Sequence, residues 1–121
     1  MLSSAKKRYL LAIYELGEQG NEVHSKDIAN ALKVKRPSTS KMLKALSEEE
    51  LIDKEYYGTV RFTPRGAQLA NQLYTRYLLL NSFFQTTLQT DAHSARHDAI
   101  LCLCELSDSS IEKLSSIVLT G

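Results

Sequence analysis

Apolar positions recur at helical spacing from Ser4 to about Leu16. Tyr9, Leu10, Ile13 and Tyr14 form one stripe, and Lys6, Lys7 and Arg8 stand ahead of it. Gly17, Gly20 and Asn21 break that pattern. A helix of about two turns is expected next, with Ser25 as its cap, Asp27 in its first turn, and Ile28 and Leu32 on one face. After the connector Lys33-Val34-Lys35-Arg36, Pro37 is placed to open another helix, where its missing N–H removes no bond. That helix carries Thr39, Leu43 and Leu46 on one side and Ser38, Lys41 and Lys44 on another, and ends near Glu48-Glu49-Glu50. Two short helices joined by a tight turn predict a helix-turn-helix.

Beyond it the period changes. Leu51 to Tyr57 and Thr59 to Thr63 read as strands flanking Gly58, a two-stranded hairpin or wing. Thr63 and Pro64 then cap and open a long helix running through Leu69, Leu73, Tyr77 and Leu80 to about Leu88. Within it Leu78 to Phe84 is apolar nearly all round, as expected of a segment buried on several sides. Two further helices are predicted, Asp91 to Leu106 and Ser109 to Leu119, with Ser109 and Glu112 spaced as a capping box. The expected fold is mainly α: a winged helix-turn-helix over residues 1–73, then a helical dimerisation region over residues 74–121. So short a helical tail covers its apolar surface most readily against a second copy. Leu80, Phe83, Phe84, Leu103, Leu106, Ile111 and Leu114 are the expected dimer contacts.

Composition adds a compartment and a partner. With 43% hydrophobic and 24% charged residues the 121-residue chain has the make-up of an ordinary globular protein. No apolar run approaches the length needed to span a membrane; Tyr77 to Leu80, for example, stops at Asn81 and Ser82. The segment after Lys6-Lys7-Arg8 is not built as a signal peptide, and two cysteines without metal-type spacing suit a reducing cytoplasm. The net charge of +1 is unevenly spread: residues 1–73 hold twelve Lys/Arg against nine Asp/Glu, and the rest three against five. A basic first half suits a polyanion. No nucleophile, base and orienting acid form a recognisable set, and no glycine-rich phosphate loop occurs, so an enzyme is not expected.

Lys35 to Lys44 carries the strongest functional signal. A helix N-terminus offers free N–H groups and a positive dipole end to a phosphate. Ser38, Thr39 and Ser40 are short enough for the helix to sit deep in a major groove, although Thr39 also shares the Leu43/Leu46 stripe. Arg36, Lys41 and Lys44 supply salt-dependent phosphate contacts, with Lys26 on the preceding helix. Arg61 and Tyr57 on the wing reach the backbone or minor groove beside it. The expected DNA-contacting set is therefore Lys26, Arg36, Pro37, Ser38, Thr39, Ser40, Lys41, Lys44, Tyr57 and Arg61.

Four segments stand in the order and spacing of the diphtheria-toxin-repressor family, which includes the manganese transport regulators. They are Tyr9 to Leu16, Ser25-Lys26-Asp27-Ile28-Ala29, Pro37 to Leu43 and Phe62-Thr63-Pro64-Arg65-Gly66. The tail matches through Asp98-Ala99 and Leu106-Ser107. The chain resembles the shorter members, which have no third, SH3-like domain. The resemblance implies a dimeric repressor of transcription that binds a palindromic double-stranded operator when activated by iron(II) or manganese(II). Regulators of the multiple-antibiotic-resistance type have a wing close to Thr63-Pro64-Arg65-Gly66, but carry an extra helix ahead of the winged helix, which here starts at about Ser4.

At the positions where the resemblance implies metal ligands, this chain has Arg8 and Leu11, Tyr77 and Asn81, and Ile100, Leu103 and Cys104. A permanently protonated guanidinium repels a divalent cation, and Leu and Ile offer no lone pair. The family's iron or manganese is thus implied without its ligands being matched, and no metal-binding residue is expected. One alternative is a metal- or thiol-sensing repressor using His93, His97, Cys102 and Cys104; another is a protein-interaction module that has lost DNA. His93 and His97 are one turn apart, whereas Cys102 and Cys104 point to nearly opposite sides of a helix. His24, alone near a helix start, is structural or a phosphate contact.

Overall fold

The computed structural model describes residues 2–54 and 58–120, so Tyr57 lies outside the described residues. In chain order the elements are α1 (Ser4–Glu18), β1 (Val23–His24), α2 (Ser25–Leu32), α3 (Arg36–Glu48), β2 (Ile52–Lys54), β3 (Thr59–Phe62), α4 (Pro64–Thr86), α5 (Ala92–Glu105) and α6 (Asp108–Thr120). They form two compact units, residues 1–71 and 72–121, whose boundary falls within α4.

In the first unit Ser3 caps α1, its hydroxyl accepting from the Lys6 N–H at 3.2 Å and satisfying one of the helix's open donors. α2 packs on both α1 and α3, and α3 on β2. Leu10, Ile28, Leu43, Leu46, Leu51 and Ile52 are almost wholly buried, each contributing about 1.5–3 kcal/mol of transfer free energy. The hairpin pairs Ile52 with Phe62 and Asp53 with Arg61, and gains a third strand that the sequence pattern did not reveal. β1 lies antiparallel to β3, with Val23 opposite Val60 and His24 opposite Thr59, giving the order β1-β3-β2. Two residues are too few to show an alternation, and their partners lie far along the chain.

The start of α4 is held against the link between α3 and β2. Thr63 Oγ1 accepts from the Gly66 N–H at 3.0 Å and donates to the Glu50 carbonyl at 2.6 Å. Arg65 Nη1 donates to the Glu49 carbonyl at 2.8 Å. Gly66 sits so close to the neighbouring chain that a Cβ there would lie 1.7 Å from the Leu51 carbonyl oxygen. Only glycine permits that approach.

In the second unit Asp91 caps α5, its Oδ1 accepting from the Ser94 N–H at 2.9 Å. α6 begins one residue earlier than predicted, because Ser107 rather than Ser109 is the cap: Ser107 Oγ accepts from the Ser110 N–H at 3.2 Å. The expected dimer contacts divide. Leu80, Leu103 and Ile111 are buried within the single chain, Leu103 with 1% of its surface exposed, and offer nothing to a second copy. Phe83, Phe84 and Leu114 are half-buried, and Leu106 is exposed. The apolar side chains left outside include Leu78, Leu88 and Leu101, with Ile117 at 63% and Leu119 at 71% exposed.

Candidate nucleic-acid interface

Residues 25–48 form the expected helix-turn-helix. α2 ends at Lys33, which takes the left-handed conformation at φ 56° and closes the helix through its N–H to the Asn30 carbonyl. The Val34 N–H bonds back to the Ala29 carbonyl at 3.0 Å, and three residues carry the chain from one helix to the next. The cap of α2 differs from expectation. His24 holds the capping position, its N–H donating to Asp27 Oδ2 at 3.0 Å, while Ser25 is the first helical residue. His24 is half-buried, with Nε2 3.7 Å from Glu22 Oε2.

α3 starts at Arg36, with Pro37 in its first turn, and its capping residue Lys35 makes no side-chain bond to the helix N-terminus. Leu43 and Leu46 face inward, whereas Arg36, Pro37, Ser38, Ser40, Lys41 and Lys44 are exposed. Thr39 corrects the expected contact set. It is 0% exposed, its hydroxyl turned back to the Lys35 carbonyl at 3.4 Å, because it lies on the same helical phase as Leu43. It packs the core and cannot reach a base edge. Lys26 on α2 and Arg61 on β3 are exposed. Lys33 and Lys35, read as connector residues, are also exposed and flank the start of α3; their charge was the available signal. The face of α3 thus presents small hydroxyls and cations around open backbone donors, a chemistry suited to phosphates and base edges.

The positions implied as metal ligands do not fit a metal. Leu11 and Leu103 are buried hydrocarbon, Ile100 is half-buried, and Arg8 is a cation. Tyr77, 5% exposed, already accepts a hydrogen bond at 2.9 Å from Arg96 Nη1, whose guanidinium carbon lies 5.5 Å from the ring centroid. A cation–π contact of this kind contributes about 0.5–1 kcal/mol. Cys104 is buried and Cys102 half-buried, both as free thiols. Burial, and then the Asp98 carboxylate, push the Cys102 thiol above its usual range, which disfavours the nucleophilic thiolate. Among the described residues no group of three or more His, Cys, Asp or Glu could hold a metal ion. No described helix is long and apolar enough to cross a membrane.

A helix-turn-helix with a small antiparallel wing and a basic outward helix defines a DNA-binding transcriptional regulator of the winged-helix class. Residues 1–60 match the family model described as iron dependent repressor, N-terminal DNA binding domain. The chain is 30% identical over 118 residues to the HTH-type transcriptional regulator MntR of Listeria welshimeri, covering 98% of this chain and 82% of that protein. It is 28% identical over 118 residues to the MntR of Geobacillus thermodenitrificans, with 98% and 83% covered. Among solved structures, the manganese regulator SloR matches at 30% identity and TM-score 0.78, and the metal-dependent transcriptional regulator MtsR at 27% and 0.81. Both matches cover 96% of this chain but 54% of the other, so the chain spans about half the length of those structures. The chain belongs to the diphtheria-toxin-repressor and manganese-transport-regulator family, whose members are transcriptional regulators.

Proposed function

We propose that this chain is a cytoplasmic, non-enzymatic repressor that acts as a homodimer on a palindromic operator and does so without the family's metal. The observation that carries the DNA assignment is the division of α3, with Thr39, Leu43 and Leu46 buried and Arg36, Ser38, Ser40, Lys41 and Lys44 outside. In a dimer two such helices enter successive major grooves about 34 Å apart, with Lys26 and Arg61 on the flanking phosphates. Dimer formation is supported by the apolar surface of residues 72–121, where Leu101, Leu106, Ile117 and Leu119 stand exposed. Metal independence is supported by the residues at the ligand positions and by the Arg96–Tyr77 contact, which engages one of those positions inside the chain.

The test is selection of bound duplexes from a random pool, followed by affinity measurement with chelator and then with manganese, iron(II) or zinc. Enrichment of a two-fold symmetric sequence, bound equally well in chelator, is the expected result. Strict dependence on manganese would overturn the metal-free reading. Binding that does not weaken as salt rises would favour the protein-interaction module, since phosphate contacts are lost steeply with salt.

A further inference from the structure

We propose that His93 and His97 form a surface site for an exchangeable borderline divalent ion, zinc, nickel or copper(II), distinct from the family's ligand positions. Both belong to α5 and both are exposed. They stand one helical turn apart, where neighbouring Cβ atoms are about 5–6 Å from one another, a spacing that lets two imidazoles close on one ion. One of the two rings has a carboxylate beside it. His97 Nδ1 lies 3.3 Å from Asp98 Oδ1. A carboxylate on Nδ1 holds the ring proton there and leaves the Nε2 lone pair facing outward, the arrangement that orients and strengthens imidazole ligands in metal sites.

The two cysteines do not belong to this site. Cys104 is buried, and the thiol of Cys102 is pushed away from the ligating thiolate form. Two imidazoles without a third protein ligand leave the remaining positions to water, so the ion exchanges freely. Neutral imidazole selects zinc, nickel and copper over manganese, magnesium and calcium, which prefer oxygen. This site stands independently of the DNA assignment.

Zinc titration of the full chain by calorimetry tests it, comparing the wild type with His93→Ala, His97→Ala, the double variant and Cys102→Ser. Both histidines are exposed, so the substitutions leave the helical circular dichroism intact. The wild type is expected to bind one zinc per chain, and Cys102→Ser to match it. Each single histidine variant loses at least about tenfold in affinity, because the second ligand acts intramolecularly only when the first is in place. The double variant then loses little more than either single one. Retention of affinity in either single variant, loss in Cys102→Ser, or equal binding of manganese would each overturn the proposal. Lys41→Ala/Lys44→Ala is expected to leave zinc affinity unchanged, so failure of this site and failure of the DNA assignment are read separately.

Discussion

In residues 1–71 the cations and hydroxyls suited to DNA stand outside on a packed frame, while in residues 72–121 three of the positions implied as metal ligands hold side chains turned inward. Arg36, Ser38, Ser40, Lys41 and Lys44 are exposed around an α3 held by Leu43 and Leu46. Tyr77, Leu103 and Cys104 are buried, and the Tyr77 hydroxyl is taken by Arg96. DNA recognition needs surface groups on a rigid helix, and such groups survive as long as the core behind them does. A metal site needs several lone pairs aimed at one point, and replacing two or three of them by hydrocarbon abolishes it. A face suited to DNA is thus present, whereas the residues at the implied ligand positions do not fit a metal.

The sharpest way to break the frame of the first unit is Gly66→Ala. The new Cβ would meet the Leu51 carbonyl oxygen at 1.7 Å, so α4 and the chain beside it must separate. A loss of about 3 kcal/mol or more is expected, at or beyond the upper end of overpacking. Urea denaturation measures it, and a loss below about 1 kcal/mol would mean the contact relaxes without cost.

The buried positions offer a matched pair. Leu43→Ala in the first unit and Leu103→Ala in the second should each cost about 2–5 kcal/mol, since both side chains are almost wholly buried. A small effect at Leu103 that grows with protein concentration would return that residue to the dimer contacts from which its burial removes it. Next in size is Lys41→Ala/Lys44→Ala. Two lost phosphate contacts per chain, four in the dimer, should lower the slope of log affinity against log salt by about 3–4 units and weaken operator binding roughly uniformly across sequences. An unchanged slope would mean that α3 is not the reader.

The sequence revealed the first unit more fully than the second, for physical reasons. Pro37 and Thr63-Pro64 mark helix starts because a cap or a proline satisfies a local requirement that residue type alone discloses. The phase Thr39-Leu43-Leu46 also announced that Thr39 faces the core, although its chemistry resembles that of Ser38 and Ser40. β1 was invisible because its pairing with β3 joins Val23 to Val60, far along the chain. In the tail, Leu78 to Phe84 is apolar nearly all round, so periodicity could not divide Leu80, which is buried, from Leu78, which is exposed. Ser107, Ser109 and Ser110 each make a plausible cap, and only the hydrogen bond to Ser107 chooses among them.

That division gives a smaller test of the tail. Ile117→Lys with Leu119→Lys should change the unfolding free energy of the isolated chain by about 0.5 kcal/mol or less, as surface substitutions do. They should nevertheless shift a dimer toward monomer in sedimentation. A dimer of unchanged affinity would place the contact elsewhere, on Leu101 or Leu106 for example.

The smallest effect expected is acid sensitivity at the start of α5, whose cap is a carboxylate where α1 and α4 use the hydroxyls of Ser3 and Thr63. Asp91 is held below its ordinary value of 3.8, first by the Ser94 backbone N–H. A carboxyl with a lowered folded-state pKa binds its proton more readily when unfolded. Its stabilising contribution is therefore complete above the unfolded value and is lost as pH falls through the lower, folded one. The effect is confined to pH below about 4. Asp91→Asn keeps an oxygen that accepts from Ser94 but removes the titration. Between pH 5 and pH 2 the wild type should lose slightly more thermal stability than this variant. Parallel curves would show that the cap works through its hydrogen bond alone, with no contribution from its charge.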